Sequence, residues 1–131
     1  MTKRLLGWTL GLLLASSLNA CGSDSEEESE GPTGSVCPTE GTDLTYENFA
    51  QGFFEDYCLS CHSSSVTGND RNDAPEDVNF DTLAGILAEA DEIDSLAAAG
   101  PDSTNKEMPD GGGAKPSDNE RRQLGEWLAC Q

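Results

Sequence analysis

The chain has 131 residues, with 25 acidic side chains against 7 basic ones and a formal net charge of −18 at pH 7. That length accommodates one domain at most. So acidic a chain repels phosphate backbones and anionic membrane surfaces, which excludes nucleic acid as a partner and makes a basic protein patch the matching charged surface.

In chain order, residues 1–20 read "MTKRLLGWTLGLLLASSLNA", with Lys3 and Arg4 first, an apolar run from Leu5 to Leu14, and then small residues. This is the pattern of an export signal, too short to span a bilayer comfortably. Cys21 follows directly. The stretch "LNAC" resembles the lipobox of bacterial lipoproteins, which implies that Cys21 becomes the lipidated first residue, on the periplasmic side of a bacterial membrane or cell envelope. An ordinary signal peptide with a neighbouring cysteine is the plainer alternative. After cleavage 5 basic and 25 acidic residues remain, a formal charge of −20. Beyond Cys21, residues 22–36 ("GSDSEEESEGPTGSV") hold five carboxylates, no lysine or arginine and one apolar side chain. Such a stretch buries too little surface to fold, so residues 21–36 are expected to form a lipidated, solvated tether with a reach of roughly 20 Å.

The folded domain is expected over residues 37–131, with helical rather than alternating periodicity. In "LTYENFAQGFFEDYC", Thr45 is placed as an N-cap, and Phe49, Phe53, Phe54 and Tyr57 gather on one side of a helix. In "DTLAGILAEADEIDSLAAAGP", Leu83, Ile86, Leu87, Ala90, Ile93 and Leu96 form a stripe capped by Asp81 or Thr82 and stopped by Gly100 and Pro101. Gly85 and the run of acids leave one helix or two equally open there. The last element, "PSDNERRQLGEWLACQ", carries a capping box from Ser117 to Glu120 and an apolar face of Leu124, Trp127 and Leu128. The expected class is therefore all-α, three to four helices with long loops at residues 63–79 and 102–115. So few large aliphatic side chains make a thin core, which small domains usually supplement with a staple or a cofactor.

The stretch "YCLSCH" supplies a reason to expect a cofactor. Cys58 and Cys61 lie one helical turn apart, and His62, the chain's single histidine, follows at once. This CxxCH spacing is that of covalent haem attachment: two thiols reach two vinyl groups while the adjoining imidazole reaches the iron. A second axial ligand is expected to be soft or an imidazole; the single histidine is already used, and after signal removal Met108 in "KEMPDGGGAKP" is the remaining methionine. Glycines around it permit a loop that wraps a flat cofactor.

With these residues in view, the stretch from about Thr45 to Cys130 resembles a small class I cytochrome c of the monohaem bacterial kind. The resemblance implies a cytochrome c-like fold around one haem c, with Phe54 before the CxxCH and Trp127 in the last helix packing across each other, and Ala50 as the small residue at their crossing. It also implies that a proline carbonyl in the following loop accepts a hydrogen bond from the ligand imidazole, a role that falls to Pro75 in "DAPEDV". The acidic tether and the additional cysteines depart from the simplest members of that family. Once Cys21, Cys58 and Cys61 are assigned, Cys37 and Cys130 are left over, and an exported pair at the two ends of a domain is most simply a disulfide.

Other readings of the same residues remain. Ligand counting allows zinc on Cys37, Cys58, Cys61 and either His62 or Cys130, although adjacent Cys61 and His62 are awkward in one tetrahedral site. A thioredoxin-like dithiol would need a strand before the CxxC, and the Asp- and Asn-rich stretch "GNDRNDAPEDVNFD" lacks the order of an EF-hand. The expectation is a membrane-tethered carrier of single electrons and not an enzyme in its own right. The alternatives are a haem-based sensor or accessory subunit with a labile Met108 bond, and a non-haem zinc or structural exported lipoprotein. Residues 37–131 carry a formal charge of −15, which fits a redox partner with a basic docking surface.

Overall fold

A computed structural model describes residues 32–131. The expected export signal, the Cys21 lipid site and the tether as far as residue 31 lie outside the described residues. Thr45 opens the first helical stretch with a reciprocal cap: its hydroxyl accepts from the Asn48 amide while the Asn48 side chain accepts from the Thr45 amide. One π-helical turn, Tyr46–Ala50, runs into helix α1, Gln51–Tyr57. Cys58 breaks the helix, with φ −118° and ψ −39°, and the single turn α2 follows at Leu59–His62. A 3-10 turn at Gly68–Arg71 interrupts the long loop behind it.

Thr82 caps α3, Leu83–Ala88, by accepting from the Gly85 amide at 3.1 Å. Glu89, at φ −113° and ψ 19°, separates it from α4, Ala90–Ala97, so the second apolar stripe is two helices. The last helix, α5, Asp118–Ala129, starts at the Ser117 to Glu120 capping box read from the sequence. Among the described residues the fold is all-α, with one isolated bridge between Ala99 and Thr104 and no strand. Among the described residues there are five α-helical segments rather than three or four: the second stripe takes the two-helix option, and the single turn α2 follows the first stretch beyond Cys58. None of these helices is long and apolar enough to cross a membrane.

The core collects the apolar faces of all these elements. Phe53, Phe54, Phe80, Ile86, Ile93, Leu124 and Trp127 are buried together with Ala50 and Ala97. Phe54 meets Trp127 edge-on at 6.5 Å and Phe80 at 5.3 Å between ring centroids; aromatic pairs favour such geometry. A hydrogen bond from the Tyr57 hydroxyl to Glu120 Oε1, 2.9 Å, ties α1 to α5 at their polar edge. Cys37 and Cys130 are joined as a disulfide with Cα atoms 4.8 Å apart, across a sequence separation of 93.

The folded unit starts before the expected boundary at residue 37. Thr33 is fully buried: its amide and hydroxyl donate to the two carboxylate oxygens of Asp94, at 2.8 and 2.7 Å, and its carbonyl accepts from the Asp102 amide at 2.9 Å. Ser35 packs beside Gly125 on α5, where an added Cβ would come within 2.7 Å of the Ser35 hydroxyl and 2.5 Å of the Ala99 carbonyl. Composition argued for tether here because it weighs apolar surface. What holds this strap is polar satisfaction instead, which composition does not register.

Candidate functional site

The break at Cys58 decides where the chemistry-bearing side chains go. Because α1 ends there and α2 restarts at once, the Cys61 and His62 amides both donate to the Cys58 carbonyl, at 3.1 and 2.9 Å. Both thiols and the imidazole are thereby carried on one short helical turn. Cys58, Cys61 and His62 all line a cleft of about 530 Å³, and so does Met108 from the far side of the sequence. That volume lies inside the range of roughly 300–1,000 Å³ common for small-molecule and cofactor sites. Its apolar wall comes from Phe54, Val78, Phe80, Ile93, Leu96 and Ala97.

His62 is held on one face and at one edge of its ring. It stacks on Phe80 with centroids 4.7 Å apart and planes 25° from parallel. Its Nδ1 lies 3.3 Å from the Val78 carbonyl, and since a carbonyl only accepts, Nδ1 carries the proton. Nε2, which makes no hydrogen bond among the described residues, is then the ring nitrogen with a free lone pair. Burial is the main cause that pushes the His62 pKa below its ordinary value; the nearby Arg71 charge lowers it too, against the Val78 carbonyl and Asp110, which raise it. The imidazole is therefore neutral near pH 7, as a metal ligand must be.

Pro75 lines the cleft, but its carbonyl does not take the expected role: it accepts from Arg71 Nη2 at 2.6 Å, and the imidazole bonds to Val78 instead. The reason is a turn. The Val78 amide donates back to the Pro75 carbonyl at 3.2 Å, which brings the Val78 carbonyl rather than the proline's to the ring.

Met108 is fixed by its backbone. Its amide donates to the Leu96 carbonyl at 2.8 Å, and its carbonyl accepts from Arg121 Nη1 at 2.8 Å. The same nitrogen holds the carbonyls of Ala97 and Asn105, both at 2.7 Å, so one buried guanidinium from α5 organises the return of the chain to the cleft. Neither buried arginine, Arg71 or Arg121, stood out in the sequence. The available signal was their scarcity: residues 37–131 hold five basic side chains in all, and two of these are withdrawn from a strongly acidic surface.

The two thiols of the cleft are free, and burial pushes the Cys58 thiol up to about 12, only partly offset by Arg121. The CxxC follows helix α1 rather than the strand that a thioredoxin-like dithiol would need, so that reading loses its support among the described residues. The zinc reading fails on ligand supply, because Cys37 and Cys130 are consumed by their disulfide. Among the described residues no group of three or more His, Cys, Asp and Glu side chains is arranged to hold a metal ion. What the cleft offers is two thiols, one imidazole and one thioether around an apolar volume. No protein-family model, curated protein or solved structure matches the chain.

Proposed function

We propose that the cleft holds one covalently attached haem c and that the protein carries single electrons between redox partners, tethered to a membrane through Cys21. The observation that carries this reading is the convergence of Cys58, Cys61, His62 and Met108 on one apolar cleft from positions up to 50 residues apart. Cys58 and Cys61 would hold the haem through thioethers, the S–H bond and the vinyl π bond giving way in each case to one C–S and one C–H bond with no net oxidant. A Cys58 kept protonated by burial is compatible with that addition. His62 would offer Nε2 to the iron while the Val78 carbonyl holds the opposite nitrogen, and Met108 would offer its sulfur. Bound there, the haem supplies reversible one-electron exchange at its iron. The apolar part of the lining would shield the bound group from water, and the stacked Phe80 would limit rotation of the ligand ring.

A carrier is favoured over a sensor because a sensor needs a labile sixth position, whereas the Met108 backbone is held by the Leu96 carbonyl and by Arg121 Nη1. The carboxyl-bearing residues Asp56, Glu89, Glu92 and Asp110 also line the cleft, which supports a redox partner with a basic docking surface.

The test is a visible spectrum of the full chain expressed with haem-attachment machinery. A low-spin spectrum in the reduced protein, with haem retained after denaturation, is the expected result; a chain without covalent haem refutes the proposal. With a basic redox partner, the second-order electron-transfer rate should fall steeply as ionic strength rises past about 0.1 M, where charges are screened over roughly 10 Å. A rate indifferent to salt removes the recognition role of the acidic rim.

A further inference from the structure

Arg71 is only 3% exposed and does not itself line the cleft, although Asn72, Pro75 and Val78 of its loop do. Its guanidinium donates to six acceptors, none of them charged. Nε reaches the Ala74 carbonyl at 3.1 Å. Nη1 reaches the Ser63 and Val66 carbonyls at 2.8 and 3.1 Å and Asn79 Oδ1 at 3.1 Å. Nη2 reaches the carbonyls of Pro75 at 2.6 Å and Val78 at 2.9 Å. Burying a guanidinium without a carboxylate carries a desolvation cost that an apolar side chain would avoid. The loop is therefore built around Arg71 for something that apolar packing cannot supply.

That something is the direction of a carbonyl. Val78 belongs to neither helix nor strand, so no ladder holds its oxygen in place. The same oxygen accepts from Arg71 Nη2 at 2.9 Å and from His62 Nδ1 at 3.3 Å, using both of its lone pairs. Arg71 also holds the Pro75 carbonyl to which the Val78 amide is bonded, and so grips the turn from both ends. Asn72 and Asp73, both left-handed at φ 51° and 65°, reverse the chain just after Arg71 and bring these carbonyls back around its fork.

We propose that Arg71 is a positioning residue for His62: by aiming the Val78 carbonyl it keeps the proton on Nδ1 and the ring in one plane, leaving Nε2 as the nitrogen available to iron. The proposal rests on the haem reading only for what Nε2 binds. A lysine cannot replace the arginine, because a single ammonium lacks the planar fork that spans Nε, Nη1 and Nη2 at fixed angles.

The experiment follows the ring N–H of His62 by nitrogen-edited proton NMR in the reduced, haem-loaded full chain, comparing wild type, Arg71→Lys and the exposed control Arg122→Lys. In Arg71→Lys the His62 Nδ1–H exchanges with solvent about tenfold faster, the scale of one lost charge-assisted hydrogen bond. The backbone amides of Leu124 and Trp127 on α5 keep their wild-type exchange, and Arg122→Lys changes neither. Unchanged His62 exchange overturns the proposal. So does a rise shared equally by the α5 amides, since that would mark general loosening. If Arg71→Lys cannot be obtained folded, Asn79→Ala takes its place, removing one of the six acceptors: a smaller local rise supports the proposal and none overturns it. A wild-type chain that attaches no haem defeats the haem reading, while the Nδ1–H signal of the metal-free chain still decides the role of Arg71.

Discussion

The two walls of the cleft are built by different means. The His62 wall is local: Cys58, Cys61 and His62 share one helical turn, and the loop behind them closes on Arg71, whose acceptors all lie within eight residues of it. The Met108 wall is assembled over long range, with its amide on Leu96 of α4 and its carbonyl on Arg121 of α5. Past Met108 the chain is exposed from Asp110 to Lys115, fastened by a bond from Lys115 to the Pro109 carbonyl and one from Asn72 to Asp110. One wall is thus held by contacts near in sequence, and the other by contacts that need α4 and α5 packed together. Under the proposed haem reading, the ligand on the first wall would be held by local contacts and the one on the second by contacts distant in sequence.

The largest effects should come from removing side chains on the two walls in turn. His62→Ala is expected to abolish a low-spin spectrum altogether. Met108→Ala should leave the covalent attachment intact, open a coordination position to added ligands such as cyanide or imidazole, and lower the reduction potential. Equal effects of the two variants on haem retention would erase the distinction between the walls. Optical titration of each variant with imidazole reads the difference directly.

Next in size is the disulfide. Replacing Cys37 and Cys130 together by serine should lower stability by about 2–5 kcal/mol, measured by denaturant unfolding of the oxidised protein. Because Arg121 and Cys130 share α5, hydrogen exchange at the Met108 amide should rise before that at the Cys61 and His62 amides. Simultaneous loss at all three would mean that the domain opens as one unit.

The smallest effect concerns pH on the His62 wall. The Ser63 hydroxyl and the Ser64 amide donate to the Asp81 carboxylate at 2.6 and 2.7 Å, and these bonds, the Ser63 one foremost, hold its pKa below the ordinary 3.8. A carboxyl lowered in the folded state contributes stability that is complete above its unfolded value and disappears as pH falls through the folded one. Asp81→Asn should therefore be slightly less stable than wild type at pH 6 and should lose less on acidification below about pH 4. Denaturant midpoints at pH 6 and pH 3 give the comparison; parallel losses in both proteins would assign acid sensitivity to other carboxylates, among them Glu120, which the Ser117 cap holds low in the same way.

The sequence by itself determined whatever depends on neighbours within a few residues. Thr45 and Ser117 mark helix starts because a cap needs only the next turn, while the choice between Asp81 and Thr82 fell to the structure; CxxCH brings its three groups together because a helical turn does. The pairing of Cys37 with Cys130 was also legible, by elimination among five cysteines rather than by geometry. Only the tertiary structure decided that Val78 and not Pro75 faces the imidazole, that Thr33 is buried on Asp94, and that two arginines leave the surface to hold the loops of the cleft. In each case the deciding contact is a hydrogen bond to a backbone carbonyl or a carboxylate brought near by folding. Every residue carries a backbone carbonyl, so composition and periodicity hold no record of which ones a buried guanidinium, a threonine hydroxyl or an imidazole will find.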